Sequence, residues 1–256
     1  MYHFLSKISK KNYLILILFL ASYNNSYAGL DDYFAEKFSY ITQTDPSIII
    51  NIRYRSTENI LGRSMKGYSK SRPFLTKAAA KALSAAQADL VMQGYSLVLY
   101  NAYIPLKSYH DLEKWSRSLD EGEKDEYYPN LTKSELITQN YIKEKKHHSR
   151  GSTVDVTIIA LDKTLKNPCI KKKRDYQNNV TILYLDDNTV DMGSSYDLFD
   201  PISQHDCPLI SKQAKRNRQK LRKVMEENGF IANKKFWWQY SFSREPYLDT
   251  NFDFDT

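Results

Sequence analysis

Two cysteines among 256 residues are too few for a thiolate zinc cluster, and the spacing of Cys169 and Cys207 fits no such motif. A single bridge between them is plausible in an oxidising compartment, although sequence cannot supply the distance that decides it. Internal repeats, low-complexity tracts and linkers are also missing, which makes one domain the simplest account. Nor is any apolar run long enough to cross a bilayer, which takes about 20 residues. The longest, Tyr13 to Ala21, follows Lys7, Lys10 and Lys11 and precedes Ser26-Tyr27-Ala28. Basic, then apolar, then small residues in that order are expected of a secretory signal peptide cleaved after Ala28. The expected organisation is a signal over residues 1–28 and one domain over 29–256, exported to the periplasm with no membrane anchor after cleavage.

What is present is enough for an ordered core: 41% hydrophobic and 13% aromatic residues rule out disorder. The net charge of +7 invites a nucleic-acid partner. Several lysines, however, belong to the signal and others to the runs Lys171 to Arg174 and Lys212 to Lys223. An exported protein rarely needs nucleic acid, and mildly basic surfaces suit an anionic bacterial envelope, so no nucleic-acid partner is expected.

Hydrophobic periodicity predicts a β-rich run from Ile48 to Tyr54, then a helix in "PFLTKAAAKALSAAQADLVMQGY" ended by Gly94. A buried strand follows in "SLVLYNAYIP", stopped by Pro105. Helical pieces fill Lys107 to Lys146, with a loop at Tyr127 to Asn130. "STVDVTIIAL" alternates as a strand does, with Val154, Val156 and Ile158 on one face and Asp155 and Thr157 on the other. A basic hairpin and the helix "KQAKRNRQKLRKVMEENGF", ended by Gly229, lead to a final strand holding the tryptophans. The fold class is α+β: a single domain with a mixed or antiparallel central sheet flanked by helices.

Two stretches carry chemistry. In "KKHHSRGSTVDVT" His148 precedes a tight Ser-Arg-Gly turn, and Asp155 stands seven residues on, on the polar face of the next strand. A turn folding back onto its strand can bring imidazole and carboxylate together as zinc-ligand types, or as a hydrogen-bonded surface pair. In "KFWWQY" an apolar run holds two of the three tryptophans and a lone Gln239, which a strand ending here would point at solvent.

Both stretches resemble the zinc D-alanyl-D-alanine dipeptidases. The resemblance runs on through "INIRYRSTENILG", "QGYSLVLYNAYIP", "YYPNLTKSELITQNYI", "MGSSYDLFD", "NRQKLRKVMEENGF" and "EPYLDTNFDF". It implies a zinc ion held by His, Asp and His, a Glu as general base and an Arg that stabilises charge on the carbonyl oxygen. The first two ligands fall on His148 and Asp155. The base position is Phe236, the third-ligand position Gln239 and the arginine position Ile104, while Lys146 stands where a serine is usual. The acidic group for the dipeptide ammonium matches Asp197, and a substrate-binding tyrosine matches Tyr68; Asp197 could equally be a turn residue.

The resemblance therefore implies hydrolysis of D-Ala-D-Ala in cell-wall metabolism, with activity lost or strongly reduced. The alternatives are a non-catalytic module that binds D-Ala-terminated peptidoglycan stem peptides, or a decaying enzyme. His147, His205 and Glu245 are the candidates to stand in for lost groups.

Overall fold

The computed structural model describes residues 33, 34, 36–68, 72–176 and 180–254, so the expected signal peptide lies outside the described residues. Two compact units divide the chain, Met1–Phe38 and Ser39–Thr256, and the second holds the central sheet. No helix among the described residues is long and apolar enough to cross a membrane.

Five strands form the central sheet: β1 (Ile49–Ile50), β2 (Tyr95–Asn101), β3 (Thr153–Ala160), β6 (Phe230–Ala232) and β7 (Gln239–Phe242), in spatial order β1-β2-β3-β7-β6. Only the β1–β2 pair is parallel; the others are antiparallel. β3 is the central strand, and its alternation serves two cores rather than a core and solvent, because Val154, Asp155, Val156, Thr157 and Ile158 are all buried. Strand register then fixes the neighbours of Asp155. It lies opposite Asn101 on one side and opposite Gln239 on the other, after an irregularity in β2 between Leu99 and Asn101. Opposed residues of antiparallel strands share a face, so three polar side chains form one row across the sheet's middle.

Helix α1 (Lys77–Val91) buries Ala79, Ala80, Leu83, Ala86, Gln87 and Leu90, the stripe its 3.6-residue period predicts. Buried Gln87 is satisfied by accepting from the Leu97 backbone N–H at 2.7 Å and donating to Ser96 Oγ at 3.0 Å. Helix α2 (Lys212–Glu227) starts at Ser211, whose hydroxyl accepts from the Ala214 N–H, and buries Arg218 with Leu221, Val224 and Met225. Arg218 donates to the carbonyls of Met192 and Ile202 at 2.6 and 2.9 Å, so its burial is matched by acceptors. The basic run is the predicted hairpin, β4 (Ile170–Tyr176) against β5 (Val180–Asp186), with Lys171, Lys172 and Lys173 exposed.

Several expectations need correction. The Ile48 to Tyr54 run is a strand only at Ile49–Ile50; a 3-10 turn covers Arg53–Arg55, where Arg53 reaches Asp187 at 2.7 Å and Tyr54 reaches Asp197. The tryptophans precede the last strand, in a turn closed by the Gln239 N–H donating to the Phe236 carbonyl. Gln239 is 1% exposed and does not meet solvent. Tyr127 ends a short helix, Lys124–Tyr127, rather than opening a loop. Cys169 and Cys207 are both free thiols: Cys169 accepts from Arg53 Nη1 at 3.0 Å, whereas Cys207 packs in a separate cluster with Ile182, Leu198, Ile202 and Ile210.

Two glycines with positive φ separate backbone strain from crowding. A Cβ at Gly193 (φ +85°) would lie 2.9 Å from Ile210 Cβ and Cγ2, while one at Gly94 (φ +83°) meets nothing within 4 Å. Gly94→Ala is expected to cost about 1 kcal/mol from its left-handed backbone, and Gly193→Ala about 1–3 kcal/mol more from overpacking. Urea midpoints of the two variants measure the difference, and equal midpoints would refute the packing account.

Candidate functional site

A 3-10 helix, Lys145–Arg150, delivers the site. With three residues per turn, positions i and i+3 eclipse, so Lys145 and His148 stand on the same face. Gly151 ends the helix at φ +76°, and its N–H donates to the His148 carbonyl at 3.0 Å. A left-handed residue is needed to reverse the chain here, and glycine adopts it without a Cβ clash. The reversal lays His148 over the start of β3, with its Nε2 3.2 Å from Asp155 Oδ1. Both are 0% exposed, so this is an interior pair and not a surface one.

The group that dominates the site is Lys145. Its ammonium, 1% exposed, lies 3.0 Å from Asp155 Oδ2 and 2.8 Å from Asp197 Oδ1. Each carboxylate takes a second donor: Tyr196 hydroxyl to Asp155 Oδ2 at 3.0 Å, and Tyr54 hydroxyl to Asp197 Oδ2 at 2.7 Å. Four rings surround the ammonium, with centroids at 5.4 Å (Tyr54), 5.3 Å (Tyr196), 5.8 Å (Phe199) and 5.9 Å (Phe236). Their negative faces favour a cation that has left water.

The electrostatics result from this packing. Burial pulls the Lys145 ammonium down, but Asp155 and Asp197 outweigh it and hold the group above the ordinary lysine range. Burial pushes Asp155 up, and the Lys145 ammonium, by charge and by hydrogen bond, more than reverses that, leaving it well below the usual carboxylate range. For Asp197 burial prevails over Lys145 and Tyr54, so its carboxyl is raised. Burial, with Asp197 next, pushes the Tyr54 phenol up, and burial with Asp155 does the same for Tyr196, which keeps both as donors.

Gln239 is fixed by a relay. The Lys235 N–H donates to Asn233 Oδ1 at 2.8 Å, and Asn233 Nδ2 donates to Gln239 Oε1 at 2.6 Å. That turns the Gln239 amide nitrogen toward His148 Nε2, 3.1 Å away. On the other side of the ring His148 Nδ1 lies 2.6 Å from the Ala102 carbonyl, which can only accept, so Nδ1 donates and Nε2 is left to accept from Gln239.

These donors do not fit zinc. The 3.2 Å between His148 Nε2 and Asp155 Oδ1 is close to the spacing of two ligands with bonds of about 2.0–2.2 Å. The His148 lone pair, however, is capped by an amide N–H, the Asp155 carboxylate is shared with an ammonium, and Gln239 beside them offers no imidazole. Among the described residues no group of three or more His, Cys, Asp or Glu side chains could hold a metal.

Three further predicted positions are buried. Phe236 is 0% exposed and stacks on Trp238 with ring centroids 4.9 Å apart. Ile104 lies in the main core, its N–H donating to the His148 carbonyl at 3.4 Å. The Tyr68 hydroxyl donates to Asn101 Oδ1 at 2.8 Å, next to the polar row. None of the candidate substitutes joins the cluster. His147 lies 3.6 Å from Glu144, Glu245 is held by Arg150 at 2.7 and 2.9 Å, and His205 packs edge-on against Tyr240. Asp197 has φ +62°, a left-handed conformation rare outside glycine, and its fully buried carboxylate meets Lys145 and Tyr54. Lys145 was missed from sequence. A lysine three residues before His148 carries the signal only once the segment is read as a 3-10 helix.

Comparison with known proteins gives one answer. The profile of a peptidase family described as D-ala-D-ala dipeptidase matches residues 35–166 and 174–256. A D-alanyl-D-alanine dipeptidase of Enterococcus faecalis is 34% identical over 203 residues, 79% of this chain and 89% of the relative. Those of Enterococcus faecium and Streptomyces coelicolor are each 30% identical over 218 residues, 85% of this chain and 96% of the relative.

His205 supplies a test by pH. Burial, then Arg218 and Arg222, holds its imidazole down at about 3. The unfolded chain takes up that proton below about 6.5, the folded chain only near 3, so stability is lost as pH falls between the two. The loss is at most about 1.4 kcal/mol per pH unit from this group. Urea unfolding from pH 7 to pH 4 is expected to be less acid-sensitive in His205→Gln; an unchanged slope would contradict the assignment.

Proposed function

Because the chain belongs to the D-Ala-D-Ala dipeptidase family, we propose that it is an exported D,D-dipeptidase scaffold whose hydrolytic machinery has been dismantled. The family is generally zinc-dependent, and D-Ala-D-Ala is the substrate that its relatives' names imply. One observation carries the reading: the two groups that would offer a metal, His148 Nε2 and Asp155, already have Gln239 and Lys145 as partners.

The residues that remain can bind and orient but cannot run the reaction. A general base typically contributes about 10²–10⁴ in rate, and Phe236 has no proton acceptor. An oxyanion stabiliser contributes about 10²–10³, and Ile104 carries no charge. Such contributions are not additive when the groups act as a unit. A purely binding role for D-alanyl stems is less well supported, since Asp197 would have to release Lys145 to take a substrate ammonium. The basic-apolar-small pattern of residues 1–28 supports export to the periplasm.

The test is D-Ala-D-Ala hydrolysis by the purified chain with added zinc, beside the Enterococcus faecalis relative. Turnover at least about 10⁴-fold slower than the relative is expected. Turnover within about 10² of it would overturn the proposal.

A further inference from the structure

We propose that the Lys145 side chain is a built-in ligand of an ammonium cage, so that the pocket between Asp155 and Asp197 is filled from within and accepts a metal only when Lys145 is removed. This rests on the family assignment of His148 and Asp155 as ligand positions, but not on the hydrolysis result.

The cage is complete for a primary ammonium. It has one oxygen from each carboxylate at 3.0 and 2.8 Å, and four aromatic rings within 5.9 Å. Asp197, the residue expected to hold a substrate ammonium, holds the lysine instead. Phe236 at the expected base position is one wall of the cage, and a carboxylate there would remove that wall. The ring at Phe236, the amide at Gln239 and the ammonium at Lys145 thus belong to one arrangement. It gives two buried carboxylates one shared counter-charge and two hydroxyl donors without a metal, where an isolated buried carboxylate pair could not be tolerated. The His148–Asp155 spacing, by contrast, is kept, so what excludes a divalent cation is local: the lysine charge and the missing third imidazole.

Two experiments with different readouts test this. Lys145→Ala deletes three methylenes and the ammonium, which is the structure of propylammonium. Its melting temperature is expected to fall by about 10 °C, since the two carboxylates are left buried without their counter-charge. Refolding with propylammonium should recover most of the loss, while 1-propanol and tetramethylammonium should not. A folded Lys145→Ala that melts with the wild type, or that 1-propanol rescues equally, overturns the proposal.

The second experiment holds even if that variant does not fold. Gln239→His alone restores the third imidazole and, with Lys145 still in place, is expected to bind zinc at least about 10³-fold more weakly than Lys145→Ala/Gln239→His, as competition with a chelating dye would read. Stoichiometric zinc in the single variant, lost on His148→Ala, overturns the proposal even if the wild type hydrolyses nothing. Wild-type turnover without any change in these readouts would sink the functional proposal and leave this one standing.

Discussion

A lysine ammonium between two buried carboxylates is the constraint around which the interior is arranged. Asp155 and Asp197 are both fully buried, and neither could stay ionised in such a place without a counter-charge. Lys145 supplies the one positive charge they share, and each carboxylate also takes one tyrosine hydroxyl as a donor. A buried ion cluster of this kind is weak evidence of net stability, but loss of one member is costly because the others are left uncompensated. The same cluster sets chemistry: a site that carries its own cation has little room for an external one.

The fold brings these groups together by means that do not depend on any reaction. Antiparallel register places Asp155 beside Gln239 and Asn101, the eclipsed geometry of a 3-10 helix stacks Lys145 with His148, and Gly151 turns the chain back over β3. On the reading proposed above, the scaffold of a hydrolase persists with Phe236, Ile104 and Gln239 at the positions of its base, arginine and third imidazole. Each replacement is satisfied where it stands: Phe236 by aromatic stacking, Ile104 by the core, Gln239 by its relay through Asn233.

Much of this was legible in the sequence. The helix over Lys77–Val91, the buried strand Tyr95–Asn101, the basic hairpin and the strand carrying Asp155 follow from periodicity, because long apolar patterns leave little choice of partner surface. The approach of His148 to Asp155 was readable from the Ser-Arg-Gly turn between them. Gln239 was not: the solvent-facing end expected of it is instead covered by His148, from a distant part of the chain, and by Asn233, which both meet its amide. Lys145 was hidden because a lysine in a basic run looks solvated until a long-range partner is known, and Asp197 lies 52 positions further along the chain. The disulfide question stayed open in the sequence for the same reason, since only tertiary packing puts Cys169 beside Arg53 and Cys207 in another cluster.

The most direct measurement is anomalous diffraction at the zinc edge from crystals of the wild-type protein grown with zinc. The account predicts continuous density for the Lys145 ammonium between Asp155 and Asp197 and no anomalous peak beside His148. An anomalous peak bonded to His148 and Asp155, with Lys145 displaced, would contradict it.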